Sequence, residues 1–166
     1  MTTHSATTTP ADTDQPYRVI QAGEDRLFVE LPNRLLVLVQ EVRTAPVVSA
    51  QVWVKTGSIY EQEHVGAGLS HFLEHLISGG STEKRTEEQS NELLGRIGAK
   101  TNAATGLDTV HYYINTTNAY TAEAIDLLSD WMQHSKVTQV EYTREREVIQ
   151  REFEQGQGDP GRVFWK

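Results

Sequence analysis

The stretch PVVSAQVWVKTG, residues 46–57, alternates apolar and polar side chains through Val48, Ala50, Val52 and Val54. That is the period of a half-buried strand, and the chain on either side of it constrains what such a strand can join. Before it, RLFVELPN and RLLVLVQEV read as two strands turning through Pro32-Asn33. After it come a glycine-ended loop, SIYEQEHVGAG, and a helix from about Gly68 that stops at Gly79-Gly80. STEKRTEEQSNELLGRIGA, with a Ser/Thr start and acidic first turns, predicts a second helix. AKTNAATGLDTVHYYINTT predicts a hairpin turning near Gly106. NAYTAEAIDLLSDWMQHSK predicts an amphipathic helix with Ile125, Leu128 and Met132 on its apolar face. A last helix is expected from about Gln139 to Gln155. Strands, helices, a hairpin and more helices in this order imply an α+β fold, an antiparallel or mixed sheet with helices packed on one face.

Length and composition exclude several function classes. At 166 residues the chain is expected to be one domain. A formal net charge of -8 argues against nucleic acid as a partner, since phosphate binding needs a basic surface. No apolar run approaches a membrane span, and MTTHSATTTPADTDQPY has neither a signal-peptide core nor the arginines of a presequence. Residues 1–16 read as a disordered tail, with a cytoplasmic location the expectation. The end, GDPGRVFWK, turns and resumes an apolar segment, which implies a truncated domain.

There is no cysteine, so a metal would have to use histidine and carboxylate. His71 and His75, two of only six histidines, stand four apart in GLSHFLEHLISGG, with Glu74 directly before the second. On a helix all three share one face. Two histidines one turn apart can aim at one ion, and the intervening carboxylate can reach a water beside it. This pattern arises by chance only ~0.02 times in a chain of this composition. A third ligand must come from elsewhere. In EYTREREVIQREFEQ, Glu145 and Glu152 are seven residues apart and nearly superimposed in rotation, roughly 40 to 60° from Ile149 at the centre of a stripe with Tyr142 and Phe153. That position allows two readings: a pair at the edge of the buried face, or a solvated face laced with salt bridges. Spacing alone favours the second. Glu141, Glu147 and Glu154 include better candidates for solvated charge. His111, beside two tyrosines on a strand, reads as structural, and nothing in the spacing of His64 makes it a ligand.

Three segments together resemble the insulinase/pitrilysin family of zinc peptidases, which includes the mitochondrial processing peptidases. They are GSIYEQEHVGAGLSHFLEH with its inverted His-x-x-Glu-His motif, GAKTNAATGLDTVHYY, and EREVIQRE. The resemblance implies one zinc ion held by His71, His75 and Glu152. It implies Glu74 and Glu145 as catalytic carboxylates, the first the general base, the second orienting a ligand histidine or tuning the site. It also implies Asn102 and Ala103 on an edge strand that pairs with an extended peptide. Val110 stands where the family usually has threonine. The expected activity is zinc-dependent endopeptidase hydrolysis of extended peptides or unfolded segments, the alternative a non-catalytic core or partner subunit. Residues 17–166 would then be most of one N-terminal catalytic domain. A second homologous domain or subunit would complete the active site, and the isolated fragment would be weakly active or inactive.

Overall fold

The structure, a computed structural model, describes residues 16–157, so the expectations for the N-terminal tail and for GDPGRVFWK lie almost wholly outside the described residues. The described residues form two compact units that divide between Ala45 and Pro46.

The first unit is an antiparallel meander of β1 (Arg18–Ala22), β2 (Arg26–Glu30) and β3 (Leu36–Gln40). β2 and β3 occupy the two predicted strand segments, and Arg34 turns the chain between them with a φ of 71°. β1 was not foreseen. All five of its residues are exposed and a register shift interrupts its pairing between Val19 and Gln21, so it carries no alternation to read.

The second unit is built on an antiparallel sheet of β4 (Val47–Val54), β5 (Lys100–Thr105) and β6 (Val110–Thr117), in the order β4-β6-β5. The central strand β6 alternates cleanly, burying Val110, Tyr112, Ile114 and Thr116. The position expected to hold threonine thus places Val110 in the core. Among the described residues four α-helices accompany the sheet: α1 (Leu69–Ile77), α2 (Glu87–Arg96), α3 (Thr121–His134) and α4 (Gln139–Gln157). α3 lays Ala124, Leu127, Leu128 and Trp131 against β6, and Leu94 of α2 joins the same cluster. This i, i+3, i+4, i+7 set is the buried stripe. Ile125, placed on that face by spacing, is 55% exposed, and Met132 is only partly buried. Ile125 follows Ala124 by about 100° of helical rotation, which carries it off the centre of that stripe. Trp131 is 1% exposed, and truncating it to alanine costs about 3–5 kcal/mol.

Helix starts are set by capping. α2 begins at Glu87, later than its polar run suggests, because Thr86 and Gln89 form a reciprocal capping box there. The preceding residues are used otherwise: the Thr82 hydroxyl accepts from the Arg85 amide and donates to Asp130 at 2.8 Å. α4 begins the same way. The Thr138 amide donates to Glu141 and the Glu141 amide to the Thr138 hydroxyl. Glu141 also accepts from the Ser81 amide at 2.8 Å. It is therefore not a solvated charge but a buried carboxylate, 6% exposed, joining the α1–α2 connection to the start of α4. Burial opposes its ionisation, yet the bonds from Thr138 and Ser81 hold its pKa below the usual range.

Candidate metal centre

α1 carries the paired histidines, and its start is held from outside. Gly68 precedes the helix with a φ of 76°, a conformation glycine adopts without strain. Oε1 of Glu61 accepts from the Ser70 amide at 2.8 Å. Burial disfavours the Glu61 charge, but the amides of Ser70, Leu69 and Gly68 outweigh it and lower its pKa, as expected for an anion at a helix N-terminus. The loop bearing Glu61 is tied to the β5–β6 turn by a bond from the Ile59 amide to the Leu107 carbonyl, 3.0 Å. Gly57 permits that approach, since a Cβ there would lie 2.5 Å from the same oxygen.

α4 packs on α1 and brings the third group. Oε2 of Glu152 lies 3.6 Å from His71 Nε2 and 3.9 Å from His75 Nε2, and the two Nε2 atoms are 3.2 Å apart. Among the described residues these three form the group of potential ligands whose atoms all lie within 4.8 Å of one another. Tetrahedral zinc, with bonds of 2.0–2.2 Å, places neighbouring ligand atoms about 3.3 Å apart, so the triangle is the right size. Its chemistry fits as well. Glu145 Oε2 lies 3.2 Å from His75 Nδ1. When that nitrogen donates to the carboxylate, a neutral His75 presents an Nε2 lone pair to His71 and Glu152. Three electron-pair donors facing one another are best reconciled by a cation.

Glu74 occupies the same helical turn but is 7% exposed. It accepts from the Thr105 hydroxyl of β5 at 2.9 Å. Tyr112 beneath has its pKa raised by burial and by the Glu74 charge. Asn102 and Ala103 lie on β5, the edge strand of its sheet, and line the same open cleft of about 860 Å³ as His71, Glu74, His75, Glu145 and Glu152. The Asn102 side chain accepts from the Ala103 amide at 3.0 Å. All seven residues singled out in the sequence thus meet at one cleft. The two histidines set aside as ligands in the sequence lie elsewhere. His64 is exposed near Glu63. His111 stacks on Trp53 with ring centroids 3.9 Å apart, its pKa lowered by burial.

Glu61 and Thr105 stand in the segments that carry the resemblance but had no role there, and sequence reasoning missed Glu87 and Arg144 altogether. Arg144 donates to Glu145 Oε1 at 2.7 Å and to Glu87 Oε2 at 2.8 Å, and the bonds to Glu87 and Glu145 raise its pKa further. No local pattern marks Glu87 and Arg144, because they meet across two helices 57 positions apart. The role of Glu141 did have a signal, the Thr138-x-x-Glu141 capping pattern.

A family model for Insulinase (Peptidase family M16) matches residues 36–164. Among curated proteins, the chain is 34% identical over 145 residues to a probable mitochondrial-processing peptidase subunit beta of Arabidopsis thaliana, covering 87% of this chain and 27% of that protein. It is 30% identical to an uncharacterized zinc protease of Bacillus subtilis, covering 77% of this chain and 31% of the relative. It is 31% identical to a ubiquinol–cytochrome-c reductase complex core protein I of Euglena gracilis, covering 81% and 27%. The chain thus spans less than a third of the length of these relatives. A protease from Helicobacter pylori superposes with a TM-score of 0.70 at 28% identity, covering 76% of this chain and 30% of that one. With the inverted histidine motif and its glutamates gathered at one cleft and a family model spanning most of the sequence, the chain belongs to the insulinase family of peptidases.

Proposed function

We propose that this chain carries the catalytic constellation of a zinc-dependent endopeptidase acting on extended peptides. The observation that carries the reading is the His71–His75–Glu152 triangle with buried Glu74 on the same helical turn. His71, His75 and Glu152 would hold the ion. When bound, zinc supplies a Lewis acid that polarises a carbonyl and makes a neighbouring water more acidic. Glu74 takes a proton from the attacking water and returns one to the leaving nitrogen. The Thr105 hydroxyl holds Oε2 of Glu74, leaving its other oxygen to exchange that proton. Glu145 fixes the His75 tautomer. The open edge of β5, with Asn102 and Ala103, takes the peptide as an added strand. A second homologous domain or subunit supplies the donors that steady the developing oxyanion.

A non-catalytic core or partner subunit is the competing reading, favoured by the relationship to a respiratory-complex core protein. The complete set of candidate ligands supports the enzyme instead. The test is peptide hydrolysis by the full-length protein and its Glu74→Gln variant, with zinc content measured on both. Hydrolysis lost by ~10²–10⁴-fold with zinc retained is expected of a general base. Unimpaired hydrolysis by the variant would refute that assignment, and a zinc-loaded wild type that cleaves nothing would favour the subunit reading.

A further inference from the structure

Glu145 has one oxygen for His75 and one for something else. Oε2 faces His75 Nδ1, while Oε1 accepts from Arg144. Arg144 in turn donates through Nη1 to Glu87, in the first turn of α2. Glu87, Arg144, Glu145 and His75 therefore form one chain of contacts across three helices. Consecutive helical residues project about 100° apart and do not normally face each other. Left to itself, a solvated Arg144–Glu145 pair would contribute little. What pins it is the second anchor. The planar guanidinium donates along two fixed directions at once, and Glu87 is the fixed point at the far end. Glu87 is itself placed by its amide, which donates to the Ser81 hydroxyl at 3.1 Å.

We propose that Arg144 and Glu87 are positioning residues of the metal centre. They hold the Glu145 carboxylate so that it faces His75 Nδ1, and thereby hold His75 with Nε2 toward the ion. This rests on the zinc reading above. Two effects of removing Arg144 oppose each other, which makes the claim decidable. Among the described residues the cleft is lined by five carboxylates, and Arg144 is the only Lys or Arg lining it. By field alone, its loss would tighten cation binding. By positioning, its loss frees Glu145 and loosens His75, weakening binding.

The test is zinc affinity of the intact protein by competition with a chromophoric chelator. The variants are Arg144→Met, Glu87→Gln and the double variant, with exposed Arg146→Met as a control for charge. Arg144→Met is expected to bind zinc ~10-fold more weakly, the lower end of what losing a partner behind a metal ligand costs. Glu87→Gln should lose about threefold, and the double variant should be no weaker than Arg144→Met, because Glu87 acts through the arginine. Arg146→Met should bind zinc no more weakly than wild type. Nitrogen NMR of His75 should show the Nδ1-protonated tautomer in wild type and a mixture in Arg144→Met. Unchanged or tighter zinc binding by Arg144→Met, or additive losses in the double variant, would overturn the proposal. If Arg144→Met melts early, Glu87→Gln and its tautomer spectrum decide by the same criterion. A wild type that binds no zinc refutes the metal reading itself, whereas zinc-loaded wild type with indifferent variants refutes only the positioning role.

Discussion

Two ionic clusters in the larger unit are built to opposite balances. Around Asp130, which is fully buried, Thr82 donates at 2.8 Å and Arg85 at 2.7 Å. Lys84 Nζ lies 3.8 Å away, His134 Nδ1 3.1 Å, and Arg85 also reaches Asp126. Two carboxylates meet two cations from the chain itself. Burial opposes the Asp130 charge, but Thr82, Arg85 and Lys84 hold its pKa below the usual range. The cleft beside α1 is the reverse, its described residues setting five carboxylates and two imidazoles against Arg144. A cluster neutralised by its own residues locks the 82–85 segment to α3. A cluster short of cations has donors to spare, and that surplus is what a metal ion would use.

The largest expected effect tests the surplus. Glu152→Gln should weaken zinc binding by at least about 100-fold, more than loss of an outer partner costs, and elemental mass spectrometry of the purified variant should find it depleted. Near-stoichiometric zinc in that variant would mean the two helices do not share one site. The balanced cluster should respond in stability instead. Asp130→Ala leaves Arg85 without its buried partner and should cost about 3 kcal/mol in urea unfolding, while the folded fraction keeps its zinc. Zinc loss without destabilisation would erase the distinction between the clusters.

Acid sharpens the comparison further. The folded-state pKa of Asp130 is lowered, so below the usual carboxylate range the unfolded chain binds more protons than the folded one. Its contribution is therefore present above about pH 4 and lost as pH falls through the folded value. Asp130→Asn should flatten the acid limb of the stability profile, and an unchanged limb would show that other carboxylates govern it. The smallest effect belongs to the start of α4. Thr138→Ala removes half of a capping box and should cost about 1 kcal/mol. Thermal melting would reveal it, and zinc affinity should fall only slightly, since the candidate ligand Glu152 lies more than three turns further along.

Much of this was legible beforehand for a definite reason. Period-2 alternation over β4, the β-branched and aromatic run of β6 and the paired histidines four apart are local patterns, written in consecutive residues. They suffice for an α+β domain bearing a two-histidine helix face, and the glutamates joined that face through family resemblance rather than rotation. Rotation alone left Glu145 and Glu152 between a metal site and a solvated face, because a helical wheel does not say what packs against it. The same limit misplaced Ile125 and Glu141: one apolar side chain faces solvent and one carboxylate is buried.

By itself, then, the sequence determined element types, their order, the absence of thiolate chemistry and the histidine pair, all consequences of residue chemistry and short-range periodicity. Only the tertiary structure decided the rest. The packing of α4 on α1 put Glu152 within 4 Å of both imidazoles, α2 supplied Glu87 as the anchor for Arg144, and β5 set Thr105 against Glu74. Those contacts join residues 31 to 81 positions apart, across chain lengths over which no periodicity persists. What settles them is which apolar faces are buried together and which polar groups find partners as they do so.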